Sequence, residues 1–85
     1  MTKKEIYNKL KKFVKESGLH IRKNGDYVTI FGIFKQDKVG AYNWKDVIAD
    51  DIKEYIILVR WEVDTIAPFV KIKIDETMKK IGNFW

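Results

Sequence analysis

The sequence predicts a small α+β domain in which a largely antiparallel sheet packs against an N-terminal amphipathic helix. Apolar residues near the N-terminus recur at helical spacing, and four later stretches are rich in β-branched and aromatic residues. The chain has 85 residues, of which 46% are hydrophobic and 14% aromatic, so it holds enough apolar material for one core. The predicted order is α-β-β-α-β-β-α, and residues 1–85 are predicted to form a single domain.

The first helix is predicted over residues 2–17. Thr2 and Glu5 have the spacing of a capping box, and Gly18 stands where a left-handed C-terminal cap is expected. The apolar residues between these signals share one helical face: Ile6, Tyr7, Leu10, Phe13 and Val14. This face is expected to be buried.

A β-hairpin is predicted after the helix, with strands over 19–23 and 26–35. The dipeptide Asn24-Gly25 favours a two-residue turn with both residues at positive φ. Both faces of the second strand are apolar, which is typical of a strand at the centre of a sheet, covered twice, or facing another subunit. Gly32 in mid-strand predicts a bulge or a close approach of other backbone.

The second half of the chain is predicted to contain a short helix and two more strands. Asn43 can cap a helix over 44–53. The strands are predicted over 54–63 and 69–74, with a turn between them because Pro68 forces its predecessor away from helical geometry.

Alternation assigns the side chains of these last two strands to faces. In the strand 54–63, it places Arg60 with Ile56 and Leu58, and Trp61 on the opposite side. In the last strand, one face is apolar and suited to the core. The other face carries Phe69, Lys71 and Lys73.

A terminal helix is predicted to complete the fold. Asp75 is expected to cap it, and it would carry Met78 and Ile81.

The charge of the chain is unevenly distributed. The net charge is +5, but residues 1–23 carry +6, residues 24–66 carry −3 and residues 67–85 carry +2. Positive ends attract polyanions or a partner with an acidic patch. Fifteen of the 17 basic residues are lysine, which neutralises phosphate as a point charge, whereas arginine reads guanine edges. A nucleic-acid ligand is therefore expected to be recognised by backbone or shape.

Two basic surfaces are candidates for binding nucleic acid or a nucleoprotein complex. The outer face of the last strand, beside Arg60 and joined by His20 and Arg22, would form a stacking and phosphate-binding platform for single strands. A row of lysines on the first helix would contact phosphates. The candidate residues are Lys4, Lys11, Lys15, Arg22, Arg60, Phe69, Lys71 and Lys73. The competing interpretation is that such lysines guard sheet edges or form a solvated helix face.

A protein–protein interaction module is the alternative function. Phe84 and Trp85 end the sequence, where exposure is expected, and they could dock into a partner or across a dimer axis. Such a module would be a small inhibitor, adaptor or homodimer, of the kind encoded by a phage or mobile element. The other possibility is that the two aromatics fold back over the sheet and close the core.

Catalysis has little support in the sequence. The chain has no cysteine, and its one serine and one histidine, Ser17 and His20, have no acid placed to orient the imidazole. A metal-dependent nuclease using Asp50, Asp51 and Lys53 is the least favoured alternative, because hard-cation sites usually recruit further oxygen ligands. A non-enzymatic domain without cofactor or metal is expected.

A cytoplasmic protein without a membrane role is also expected. The apolar residues near the N-terminus are spaced rather than gathered into a signal-peptide core. No apolar run approaches the ~20 residues that span a bilayer.

Overall fold

The computed structural model describes residues 2–36, 38–40, 42–63 and 66–75. Within these residues the chain forms one α-helix and a four-stranded antiparallel sheet, which confirms the predicted α+β class. The elements are α1 (Lys3–Glu16), β1 (His20–Asn24), β2 (Tyr27–Phe31), β3 (Ile56–Glu62) and β4 (Phe69–Ile74). The terminal helix predicted from Asp75 lies outside the described residues.

The helix α1 begins at the predicted capping box. The Glu5 backbone N–H donates to Thr2 Oγ1 at 3.2 Å, and the Thr2 N–H donates to the Glu5 carboxylate at 3.3 Å. These two bonds satisfy donors that a helix start leaves without intrahelical partners. The helix ends at Glu16, and Gly18 follows with a φ of 76°. Both predicted ends of α1 are therefore confirmed within about one residue.

The sheet order is β1-β2-β4-β3, with every neighbouring pair antiparallel. The strand β2 is therefore central, which is one of the three placements that its two apolar faces predicted. The turn prediction was one residue out of place, because Asn24 pairs with Tyr27 and the two-residue loop is Gly25-Asp26. Of these two loop residues, only Gly25 has a positive φ, at 64°. It occupies the first central position of the turn, where two-residue hairpin loops favour glycine.

The core lies between α1 and one face of the sheet. Its completely buried side chains are Ile6, Leu10 and Val14 of α1, Val28 and Ile30 of β2, Ile52 of the segment before β3, Ile56 of β3, and Val70 and Ile72 of β4. Because successive strand residues point to opposite faces, burying this set turns the remaining residues of β2 and β4 towards the other face. That second face retains solvent exposure at every described position.

The helix predicted over 44–53 is replaced by two short 3₁₀ turns, Trp44–Val47 and Lys53–Tyr55. Asn43 makes no side-chain capping hydrogen bond. Three consecutive residues, 47–49, are all buried, which one face of an α-helix cannot achieve. The segment therefore covers the core as irregular chain with two short 3₁₀ turns.

A bulge in β3 overturns the strict alternation predicted for that strand. Leu58 pairs with Ile72 and Trp61 with Val70, so the intervening stretch holds one extra residue, Val59. After the bulge, Trp61 points to the core face and Arg60 to the opposite face. Period-two reasoning was thus wrong to group Arg60 with Ile56 and Leu58, which lie on the core face with Trp61.

Gly32 marks a close approach rather than a bulge. It follows β2 with a φ of 132°, and its N–H donates to the Pro68 carbonyl at 3.4 Å. A Cβ atom at this position would lie 2.9 Å from Leu19 Cδ2. The positive φ therefore favours glycine here, and an added Cβ would also force the end of the Leu19 side chain to shift.

We expect Gly32→Ala to lower the free energy of unfolding by about 1–3 kcal/mol, because the residue would be strained and would press on Leu19. Urea denaturation followed by tryptophan fluorescence measures this loss. Gly40→Ala is the control, since Gly40 also has positive φ, at 85°, but nothing lies within 4 Å of its Cβ position. Equal losses for the two variants would contradict the close approach.

Candidate nucleic-acid interface

The exposed face of the sheet is built from three rows of side chains. Each row takes one residue from every strand, in the order β1-β2-β4-β3, as fixed by the strand register. The rows are His20, Phe31, Phe69, Glu62; then Arg22, Thr29, Lys71, Arg60; then Asn24, Tyr27, Lys73, Ile57. Directly opposite Cα atoms lie about 4.5–5.5 Å apart, so neighbouring side chains in a row touch. We call these twelve residues the open face.

Phe31 lies between two basic side chains of β1. The Arg22 guanidinium carbon is 5.7 Å from the centre of the Phe31 ring. The His20 ring stacks on Phe31 with centroids 5.3 Å apart and planes inclined by 28°. Both contacts follow from the hairpin register, which places His20 opposite Phe31 and Arg22 one row further along.

The other two aromatic rings of the open face carry cations as well. Lys71 Nζ lies 4.9 Å from the centre of the Tyr27 ring, and the Arg60 guanidinium carbon lies 5.9 Å from that of Phe69. Arg60 reaches this position because the β3 bulge turns it away from the core. Tyr27 remains 42% exposed despite the contact.

The open face is positively charged. Glu62 is the one acid among its twelve residues, and it pairs with Arg60, whose NH2 lies 2.6 Å from the Glu62 carboxylate. In the part of the chain that the structure describes, Arg22, Lys71 and Lys73 form no ion pair. Three cations therefore remain available to an anionic ligand.

The lysines of α1 lie on the opposite side of the sheet from the open face. Of the three that were predicted to bind nucleic acid, Lys11 and Lys15 lie close to β1 and Lys4 does not. Lys11 and Lys15 meet β1 across a groove with a volume of about 480 Å³. We call it the β1 groove; the polar and aromatic residues that line it are Tyr7, Lys11, Lys15, His20, Arg22 and Phe31. Lys4 is exposed on the same helical row but does not line the groove, since it lies about 10 Å further along the helix axis.

Three acids outside the open face, Asp26, Asp50 and Asp51, pair with lysines. Lys3 Nζ binds the Asp26 carboxylate at 2.8 Å, and this hydrogen bond with the ammonium charge holds the pKa of Asp26 below its ordinary value. Asp50 pairs in the same way with Lys53 at 2.9 Å, which lowers the pKa of Asp50.

Asp51, the remaining acid of the nuclease alternative, pairs with Lys9 of α1. In the described residues, no three side chains of the metal-ligating types come together. Asp51 thus links the 44–55 segment to α1 through its ion pair with Lys9.

The strand residues singled out from the sequence, Arg22, Arg60, Phe69, Lys71 and Lys73, share the open face. Phe84 and Trp85 lie outside the described residues.

Two aromatic members of the open face were missed by sequence reasoning. Phe31 and Tyr27 belong to a strand that is apolar on both sides, so nothing in its own pattern shows which face is exposed. The hairpin register would have revealed Phe31, because it pairs that residue with His20.

No protein-family model matches the chain, and neither a curated protein nor a solved structure matches it significantly. In the described ranges, no helix has the length and apolar character needed to cross a lipid bilayer.

We expect Lys11→Gln to leave the free energy of unfolding unchanged or to raise it by up to about 0.5 kcal/mol. Lys11 and Lys15 are like charges at i,i+4 and repel each other, while glutamine is an equally good helix former. Urea denaturation at low salt measures the effect.

The control is Lys9→Gln on the other side of the same helix. It removes the ion pair with Asp51 and should cost about 0.2–1 kcal/mol. A loss at Lys11 as large as that at Lys9 would show that Lys11 has a structural role.

Proposed function

We propose that this protein is a non-enzymatic domain that binds single-stranded nucleic acid, alone or within a nucleoprotein complex, on the open face of its sheet. The observation that carries the proposal is the pairing of all three aromatic rings of that face with basic side chains. Stacking surfaces interleaved with phosphate-binding cations are the parts that proteins use to hold single strands. The site of action that we propose is the cytoplasm.

The energetics favour exchange of a cation for a base on each ring. A cation over an exposed aromatic ring is worth about 0.5–1 kcal/mol. A nucleic-acid base stacked on the same ring is worth about 1–3 kcal/mol. When a base displaces Lys71 from Tyr27, the ammonium group is free to reach the neighbouring phosphate, so the lost contact is replaced by an ionic one.

A single strand suits the open face better than a duplex. Aromatic rings can stack only on bases that are already unpaired and splayed. Tyr27 and Phe31 are four residues apart on β2, which separates them by about 13 Å along the strand, enough for several nucleotides. The helix α1 packs on the opposite side of the sheet from these aromatic rings.

Recognition is expected to be largely independent of sequence. The open face contains two arginines, and Arg60 already holds Glu62. Lysine contacts and ring stacking tolerate every base, because each base has a π-face and each nucleotide carries a phosphate.

A second candidate function is a protein–protein interaction module that pairs with another copy of the chain. The loops after β2 and before β4 expose Ile33, at 89%, and Ile66, which is fully exposed. The Gly32–Pro68 hydrogen bond holds these loops together at one end of the sheet. Sedimentation over a range of concentrations tests this candidate, and a monomer throughout would exclude a homodimer.

We expect labelled oligothymidylate and a single-stranded RNA of equal length to bind more tightly than a duplex in fluorescence anisotropy at 50 mM salt. Phe31→Leu and Phe69→Leu keep most of the bulk but remove the stacking faces. Each should weaken binding by about 1–3 kcal/mol, or roughly 5- to 150-fold.

Phe13→Leu is the matched control, because Phe13 is 37% exposed on α1 and lies outside the open face. Circular dichroism confirms that each variant is folded. The proposal fails if the wild type shows no binding at 50 mM salt, if heparin binds as tightly as the oligonucleotides, or if Phe13→Leu weakens binding as much as Phe31→Leu.

A further inference from the structure

We propose that the β1 groove is a phosphate-binding extension of the open face. A single nucleic-acid strand that lies across the sheet would then bend around β1 and place its backbone phosphates at Lys11 and Lys15. This inference rests on the proposed function and specifies the path that the ligand takes. It assigns to the helix a role that is separate from the stacking role of the sheet.

The groove and the open face are continuous. Phe31, His20 and Arg22 belong to both, since they stand in the open-face rows and also line the groove. The strand β1 is at an edge of the sheet, so a ligand can pass around it without crossing another strand. The volume of about 480 Å³ lies in the range of small-molecule sites, so the groove is large enough for part of a nucleotide chain.

The charges that line the groove favour an anion. Lys11, Lys15 and Arg22 are cationic, no acid lines the groove among the residues that the structure describes, and none of the three cations forms an ion pair with a described residue. Lys11 and Lys15 stand one helical turn apart and repel each other unless anionic charge lies beside them. Consecutive phosphodiesters of a nucleic-acid strand supply that charge, one at each ammonium group, and lysine binds them without demanding a particular base.

Arg22 joins the two surfaces. In the absence of ligand its guanidinium lies over Phe31, 5.7 Å from the ring centre. A base that stacks on Phe31 displaces the guanidinium towards the groove, where the next phosphate along the strand would be. The nucleic-acid strand would thus stack its bases on the sheet and place its next phosphates in ionic contact with the lysines of α1.

The test is the salt dependence of oligothymidylate binding by the full-length protein, measured by anisotropy between 50 and 200 mM salt. Each phosphate contact with a single strand contributes about 0.7 to the slope of log K against log salt. Lys11→Gln/Lys15→Gln should therefore lower the slope by about 1.4, so that the wild type loses about sevenfold more affinity than the variant over this range. The variant should also reach its full affinity with a shorter oligonucleotide.

The control is Lys12→Gln/Lys38→Gln, which removes the same charge from exposed lysines outside both the groove and the open face. It should leave the slope and the length dependence close to those of the wild type. Equal changes in the two double variants would overturn the inference, because the effect would then come from overall charge. An unchanged slope in Lys11→Gln/Lys15→Gln would overturn it while leaving the sheet platform intact, provided that Phe31→Leu still weakens binding.

Oligonucleotides with and without a 5′-phosphate distinguish the source of the phosphate. Equal binding supports a backbone path around β1. A preference for the 5′-phosphate that disappears in Lys11→Gln/Lys15→Gln would instead show capture of strand ends and overturn the bent path. Absence of any binding by the wild type would remove the proposed function and this inference together.

Discussion

The packing of α1 against one face of the sheet is the constraint on which the rest of the molecule depends. Val28 and Ile30 of β2 are completely buried beneath the helix. Because successive side chains of a strand point to opposite faces, burial of Val28 and Ile30 places Tyr27 and Phe31 on the exposed face. A register slip of one residue would bury the aromatic rings and expose the aliphatic ones, so the stability of the core and the composition of the open face are set together.

The bulge at Val59 extends this coupling to the edge strand. Without an extra residue, Arg60 and Trp61 would exchange faces, which would bury a guanidinium and expose an indole. With the extra residue, Trp61 packs edge-on against Phe34, with ring centroids 5.0 Å apart, and its ring centroid lies 6.2 Å from that of Trp44. The Arg60 guanidinium then lies over the Phe69 ring. One inserted residue therefore serves the core and the basic face at once.

Elements with local signals were predictable from the sequence. The helix α1 has a capping box, which the structure confirms, and an apolar stripe of which Ile6, Leu10 and Val14 are buried while Phe13 is 37% exposed. The hairpin and β4 were also recognised, because turn residues and alternation act over a few neighbouring positions. The grouping of Phe69, Lys71 and Lys73 on one face followed from that alternation.

Features that depend on contacts between distant segments were not predictable. The segment 44–55 has the composition of a short helix, but its buried positions are set by α1 and the sheet rather than by helical spacing. The Val59 bulge has no composition signal of its own, and because it was not foreseen, alternation grouped Arg60 with Ile56 and Leu58. The β1 groove likewise forms only when Lys11 and Lys15 are brought beside β1, which no local pattern specifies.

The cations on the open face have a part in the free protein as well as in a complex. Exposed aromatic rings on a flat sheet promote self-association, because apolar patches bury themselves on contact. Arg22, Lys71 and Arg60 lie over these rings and bring charge to the same patch, which opposes such contact between identical, positively charged copies. On the proposed function, a nucleic-acid strand would meet no such opposition, since its phosphates would attract the cations that its bases displace. The arrangement would therefore discriminate between a second copy of the chain and a polyanion by charge alone, before any stacking contact is made.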